Sequence, residues 1–125
     1  MSKKILVIED NDVVAKFLKS LLEKSGYQTV VLNQGGGAVE EIMRYKPDAI
    51  LLDLLLPDMN GGDIVRELDN HPEAANTPIA ILSAVIDKND KAGGTLTIAD
   101  KKFPAMSKSI TGAELLAVVE KLVSE

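Results

Sequence analysis

An open, mostly parallel α/β sheet with helices on both faces is what the apolar pattern of this chain predicts. Short apolar runs, Ile5-Leu6-Val7-Ile8 and Ala49-Ile50-Leu51-Leu52 among them, alternate with stretches whose apolar residues recur at helical spacing. The runs are continuous rather than alternating, as expected of strands buried on both faces. Two of them end in acid, at Glu9-Asp10 and at Asp53. In such sheets the functional crevice lies beyond the carboxyl ends of the strands, where strand order reverses.

The elements follow in order. A strand over Lys4–Ile8 leads to a helix over Asp12–Lys24, with Val14, Leu18, Leu21 and Leu22 on one face. Asn11 or Asp12 can cap it and Gly26 ends it. A short strand at 29–32 passes through Gly35-Gly36-Gly37 into a helix over Ala38–Tyr45, stopped by Pro47. The next apolar run, 49–56, contains Asp53 and closes in Pro57-Asp58-Met59-Asn60-Gly61. A third helix is expected at about 63–69, with Ile64, Val65 and Leu68 inward. Pro78 precedes an apolar strand at 79–82 that ends in Ser83. The final helix begins with a capping box, Thr111-Gly112-Ala113-Glu114, flanked by Ile110 and Leu115 as a hydrophobic staple.

One segment breaks the alternation. Residues 84–100 hold Asp87, Asn89, Asp90, Gly93, Gly94, Thr95 and Thr97, with no helical stripe. Two adjacent glycines each cost about 1 kcal/mol relative to alanine in a helix, so a fourth helix here should be irregular, shortened or absent. The same polarity predicts that this segment is mobile and carries whatever partner specificity exists. The strand after it, about 103–107, contains Pro104 and is expected at the sheet's edge.

At 125 residues, with 46% hydrophobic and 26% charged residues, the chain is expected to form one domain spanning 1–125. A net charge of −5 argues against nucleic acid as a partner. There is no cysteine, hence no disulfide framework and no thiolate chemistry. Lys3-Lys4 and four apolar residues meet acid too soon for a signal peptide. No uncharged apolar stretch reaches the roughly 20 residues a membrane span needs. A cytoplasmic location without membrane contact is the expectation.

Carboxylates gathered on one sheet edge repel one another, by about 4 kcal/mol for a pair at ~4 Å and an effective dielectric near 20. Either some are protonated or a cation binds. The available ligands are all oxygens, which suits a hard divalent ion; Mg²⁺ needs only one or two carboxylates plus a phosphate oxygen. That combination suits phosphoryl transfer with an aspartate as nucleophile. Ser83 and Lys108, at later strand ends, are the hydroxyl and ammonium available to the transferred group.

These landmarks, Ile5–Asn11 (ILVIEDN), Leu51–Gly61 (LLDLLLPDMNG), Ile79–Ala84 (IAILSA) and Met106–Lys108 (MSK), stand in one order along the whole chain. In that order they resemble the receiver domain of two-component response regulators. The resemblance implies a five-stranded parallel sheet of flavodoxin-like order 2-1-3-4-5. It implies Asp53 as phospho-acceptor and Glu9 and Asp10 as the acidic pair holding Mg²⁺. It also implies the Leu55 backbone carbonyl as a metal ligand, Ser83 as the hydroxyl switch residue and Lys108 as the phosphate-binding lysine. A histidine kinase or phosphotransfer protein would be the donor, and an unidentified protein or output domain the recipient. A receiver is a signalling switch, not an enzyme.

The chain also departs from that pattern. Receivers usually carry proline after the lysine, in a cis peptide; here Ser109 follows Lys108. A cis bond before a non-proline residue costs about 3 kcal/mol, so a trans geometry is expected. The usual aromatic switch position is Ala105, and Phe103 lies on the same strand face. A degenerate receiver that binds partners without phosphorylation is therefore the second reading. A Mg²⁺-dependent phosphatase-like domain is the third. Leu55 stands where haloacid-dehalogenase-type phosphatases need a second aspartate.

Overall fold

The computed structural model describes residues 2–83 and 94–124. Its elements are β1 (Lys4–Ile8), α1 (Asp12–Lys24), β2 (Gln28–Leu32), α2 (Ala38–Tyr45), β3 (Ala49–Asp53), α3 (Gly61–Leu68), β4 (Ile79–Ser83), β5 (Gly94–Ile98), β6 (Lys101–Ser107) and α4 (Gly112–Val123). They build a six-stranded sheet in the order β2-β1-β3-β4-β6-β5. The first five strands in that order are parallel, and β5 joins antiparallel at the end. This is the doubly wound flavodoxin-like architecture expected, with one strand more.

Each central strand divides its apolar residues between two cores, as the two-residue period of a strand requires. Leu6, Ile8, Ile50, Leu52, Ile79 and Ile81 pack with α2 and α3 on one face. Ile5, Val7, Ala49, Leu51, Ala80 and Leu82 pack with α1 and α4 on the other. Continuous apolar runs are what two buried faces demand. Local caps set the helix starts. Asn11 accepts from the Val13 and Val14 N–H groups at 3.0 and 3.1 Å. Asn60 accepts from Gly62 N–H at 2.7 Å and starts α3 two residues before the glycines alone indicated. The Thr111–Glu114 capping box forms as read.

Two sequence expectations change. First, residues 94–98 form a strand, because the hairpin to β6 supplies hydrogen-bond partners that no local pattern reveals. The expectations for 84–93 lie outside the described residues.

Second, β6 is not an edge strand. It pairs with β4 over Ala105–Ser107 and with β5 over Lys101–Ala105. Pro104 is tolerated because the β4 ladder begins one residue later. On the β5 side, the two-residue turn closes on the hydrogen-bonded pair Ile98–Lys101. Strict alternation from there makes Thr95–Pro104 a non-hydrogen-bonded pair. No ladder bond needs the missing N–H.

As expected, β3 ends at Asp53, although the apolar run continues to Leu56. The chain folds back there: Gly61 N–H donates to the Leu54 carbonyl at 2.7 Å, and Leu55 bridges Asn60. Asp53 is thereby placed at the mouth of the sheet.

The β5–β6 turn carries positive φ at both central residues, 53° at Ala99 and 65° at Asp100. That is the type I′ pattern, which favours Asn-Gly. An alanine in the left-handed region costs about 1–2 kcal/mol. Ala99→Asn is therefore expected to raise stability by about 1 kcal/mol, read as a higher urea midpoint with an unchanged slope.

Candidate functional site

The reversal of strand order lies between β1 and β3, whose carboxyl ends carry Glu9-Asp10 and Asp53. The three carboxylates each offer an oxygen within 4.8 Å of the others. Glu9 is fully buried, Asp53 is 1% exposed, and Asp10 faces solvent. Lys108 joins them from the turn after β6. Its Nζ donates to Asp53 Oδ2 and to Glu9 Oε2, both at 2.9 Å. It also stands 2.9 Å from Glu9 Oε1, an ion-pair contact without hydrogen-bond geometry, so that buried oxygen accepts no hydrogen bond.

Each side chain is held by its own strand end. Asn11 N–H donates to Glu9 Oε2 at 3.0 Å, and Leu55 N–H donates to Asp53 Oδ1 at 3.1 Å. Burial pushes the Glu9 carboxyl above its ordinary value of 4.5, against the opposing effects of Asn11 and Lys108. Burial also acts to lower the Lys108 ammonium. Its hydrogen bonds to Asp53 and Glu9 outweigh that and hold it above 10.5. Lys108 is therefore charged at neutral pH, and one ammonium faces three carboxylates.

The donor set fits a hard divalent cation. All three side chains offer oxygen, the buried Glu9 Oε1 has no hydrogen bond, and a single lysine leaves the cluster under-compensated. Ser83 ends β4, is buried, and lies opposite Ser107 in the β4–β6 register; its neighbour Leu82 is paired with Asp53. Leu55 lies in the loop beyond Asp53, with its side chain 54% exposed. Lys101 is paired with Asp69 at 2.6 Å and is the first residue of β6, at the other end of the strand from Lys108. Among the described residues no peptide bond is cis, so Lys108–Ser109 is trans. Ala105 is buried, and Phe103 packs against the same core.

The sequence reading missed one part of this edge. Asp58 reaches from the β3–α3 loop to the triple glycine, where its two oxygens accept from Gly35 N–H at 2.8 Å and Gly36 N–H at 2.7 Å. A Cβ at Gly35 would stand 2.4 Å from the Met59 side chain, which would have to shift to admit a larger residue. The Gly35 bond, with that of Gly36, depresses the Asp58 carboxyl below 3.8. A depressed folded value means stability that is present above the unfolded value and is lost as pH falls through the folded one. The stability difference between wild type and Asp58→Ala is expected to be constant near neutrality and to shrink below about pH 4. Urea unfolding at stepped pH checks this.

A family profile described as the response regulator receiver domain matches residues 5–120. The chain belongs to the response regulator receiver family. It is 31% identical over 91 residues to the polar-differentiation response regulator DivK of Brucella anthropi, covering 73% of this chain and 74% of that one. The BeF3-activated N-terminal receiver domain of Klebsiella pneumoniae RstA superposes with a TM-score of 0.82 at 28% identity, over 98% of this chain and 99% of that one. A sensor histidine kinase receiver domain from Pseudomonas aeruginosa, with a magnesium ion coordinated in its active-site cleft, gives 0.80 at 26% identity over 100% of both chains. The protein is thus a phosphoryl-accepting receiver of two-component signalling. Receivers interact with histidine kinases and downstream effectors. Among the described residues, no helix is long and apolar enough to cross a membrane.

Proposed function

We propose that Asp53 is the residue that accepts the phosphoryl group, from a phosphohistidine on a kinase or phosphotransfer protein. The observation that carries this reading is the buried Asp53 carboxylate held between Leu55 N–H and Lys108 Nζ beside two further carboxylates. Asp53 attacks phosphorus, the bond from phosphorus to the donor nitrogen breaks, and an acyl phosphate forms as the imidazole leaves. Lys108 binds an oxygen of the transferred group, and the Ser83 hydroxyl donates to another. Asp10, Asp53 and the Leu55 carbonyl would hold Mg²⁺, with Glu9 acting on it only indirectly. The metal supplies neutralisation of the phosphoryl oxygens and a template for in-line transfer.

Val13 and Phe17 on α1 and Leu55 in the loop after β3 are exposed and give the donor protein apolar contacts. Signal output passes to a protein or domain whose identity lies outside this chain. A cytoplasmic location fits a switch read by such partners.

The test is intact mass after incubation with acetyl phosphate. One phosphoryl group should be gained with Mg²⁺, none with EDTA, and hydroxylamine should remove it. A hydroxylamine-resistant or metal-independent adduct would contradict an acyl phosphate at this site. The two acids after β1 should also separate. Asp10→Asn is expected to weaken Mg²⁺ binding about tenfold or more, and Glu9→Gln less, because only Asp10 is assigned a direct bond to the metal. Equal losses on titration would show that both acids ligate alike.

A further inference from the structure

The reach of Lys108 has an unusual support. Lys108 leaves the sheet one residue after β6 ends, yet its Nζ must stand 2.9 Å from carboxylates on two other strand ends. A lysine side chain carries about 2 kcal/mol of rotamer entropy, so a loose backbone beneath it would spread the ammonium over many positions. The backbone here is not loose. Ser107 accepts twice within four residues: its Oγ from Ser109 N–H at 3.1 Å, and its carbonyl from Ile110 N–H at 3.1 Å.

The first bond is a serine turn laid over the β-turn closed by the second. Ile110 then packs into the core shared by α1 and α4, and Thr111 caps α4. The turn is thus anchored by β6 on one side and by α4 on the other. The N–H used in the serine turn belongs to Ser109, the position where receivers usually carry proline, which has no N–H to donate.

We propose that Ser107 is a positioning residue for phosphoryl transfer: its side-chain hydroxyl fixes the turn that aims Lys108 at Asp53. The proposal rests on the assignment of Asp53 and Lys108 above. Ser107 does not touch the reacting atoms and acts only through Lys108. Because its oxygen accepts a backbone bond beside an exposed residue, the hydroxyl is replaceable by water for folding but not for aim. Ser109 is exposed, so its N–H can turn to solvent when the oxygen is removed.

The geometry gives this role a signature that general damage to the site would not share. Lys108 neutralises Glu9 and Asp53 and so competes with any cation for the same oxygens. Releasing Lys108 should slow phosphoryl transfer while strengthening divalent-cation binding. Disruption of the carboxylate cluster itself would weaken both.

The experiment compares wild type, Ser107→Ala and Ser107→Thr. Three quantities are read: the rate of phosphorylation by acetyl phosphate, the affinity for Mg²⁺ alone, and the ¹H–¹⁵N resonance of the Lys108 ammonium. Ser107→Ala should be phosphorylated roughly tenfold more slowly, bind Mg²⁺ more tightly, and lose the Lys108 resonance to exchange. Ser107→Thr keeps the hydroxyl and should restore all three. Unchanged rate and affinity in Ser107→Ala, a loss of both together, or failure of threonine to rescue would each overturn the proposal. If wild type itself accepts no phosphoryl group, the functional reading fails. The ammonium resonance then still decides whether Ser107 holds Lys108.

Discussion

Asp53→Asn is expected to abolish phosphorylation while leaving the fold intact. An amide is a far weaker nucleophile than a carboxylate, and covalent transfer by this route depends on that carboxylate. Folding should survive because Asp53 is one of three clustered acids facing a single ammonium. Removing its charge relieves repulsion, and Lys108 retains Glu9 as a partner. The urea midpoint in EDTA should therefore be no lower than in wild type, and Mg²⁺ affinity should fall because the amide keeps an oxygen but loses the negative charge proposed to hold the metal. Intact mass and equilibrium unfolding on the same sample separate the two effects. An adduct of equal yield on Asp53→Asn would place the acceptor elsewhere.

The second large effect is expected at Gly61. The loop after β3 returns so closely that a Cβ on Gly61 would stand 2.4 Å from the Asp53 carbonyl oxygen and 3.0 Å from Leu54 Cα. Those are backbone atoms and cannot rotate away. Gly61→Ala must displace either the start of α3 or the end of β3. Overpacking of this kind costs about 1–3 kcal/mol. The displacement also falls on Asp53, the residue proposed to accept the phosphoryl group. A shift of 1 Å at a reacting group can lower a rate about a hundredfold, so phosphorylation should slow by at least tenfold even where the protein remains folded. A folded Gly61→Ala protein that is phosphorylated at the wild-type rate would show that the loop is not what sets Asp53.

Much of the domain was legible because its signals are local or periodic. Two buried strands ending in acid, the Asn11 cap and the Thr111–Glu114 box are properties of neighbouring residues. They located β1, α1, β3 and α4 and three of the site residues, Glu9, Asp10 and Asp53; Lys108 was named by its place in the receiver-like order of motifs, and the structure brings all four together. The start of α3 could also have been read, since Asn60 before two glycines is a capping signal.

What the sequence determined by itself is therefore the alternation of elements, the two-faced burial of the strands and the acidic edge, all fixed by spacing along the chain. The tertiary structure decided whatever depends on a partner far away in sequence. Residues 94–98 became a strand because β6 offered an edge, and Pro104 became acceptable inside the sheet because both of its ladders leave its nitrogen unused. Asp58 found Gly35 and Gly36 across more than twenty residues, and Lys108 met Glu9 across 99. A hydrogen bond depends on distance and angle in space, and side-chain periodicity along the chain carries neither.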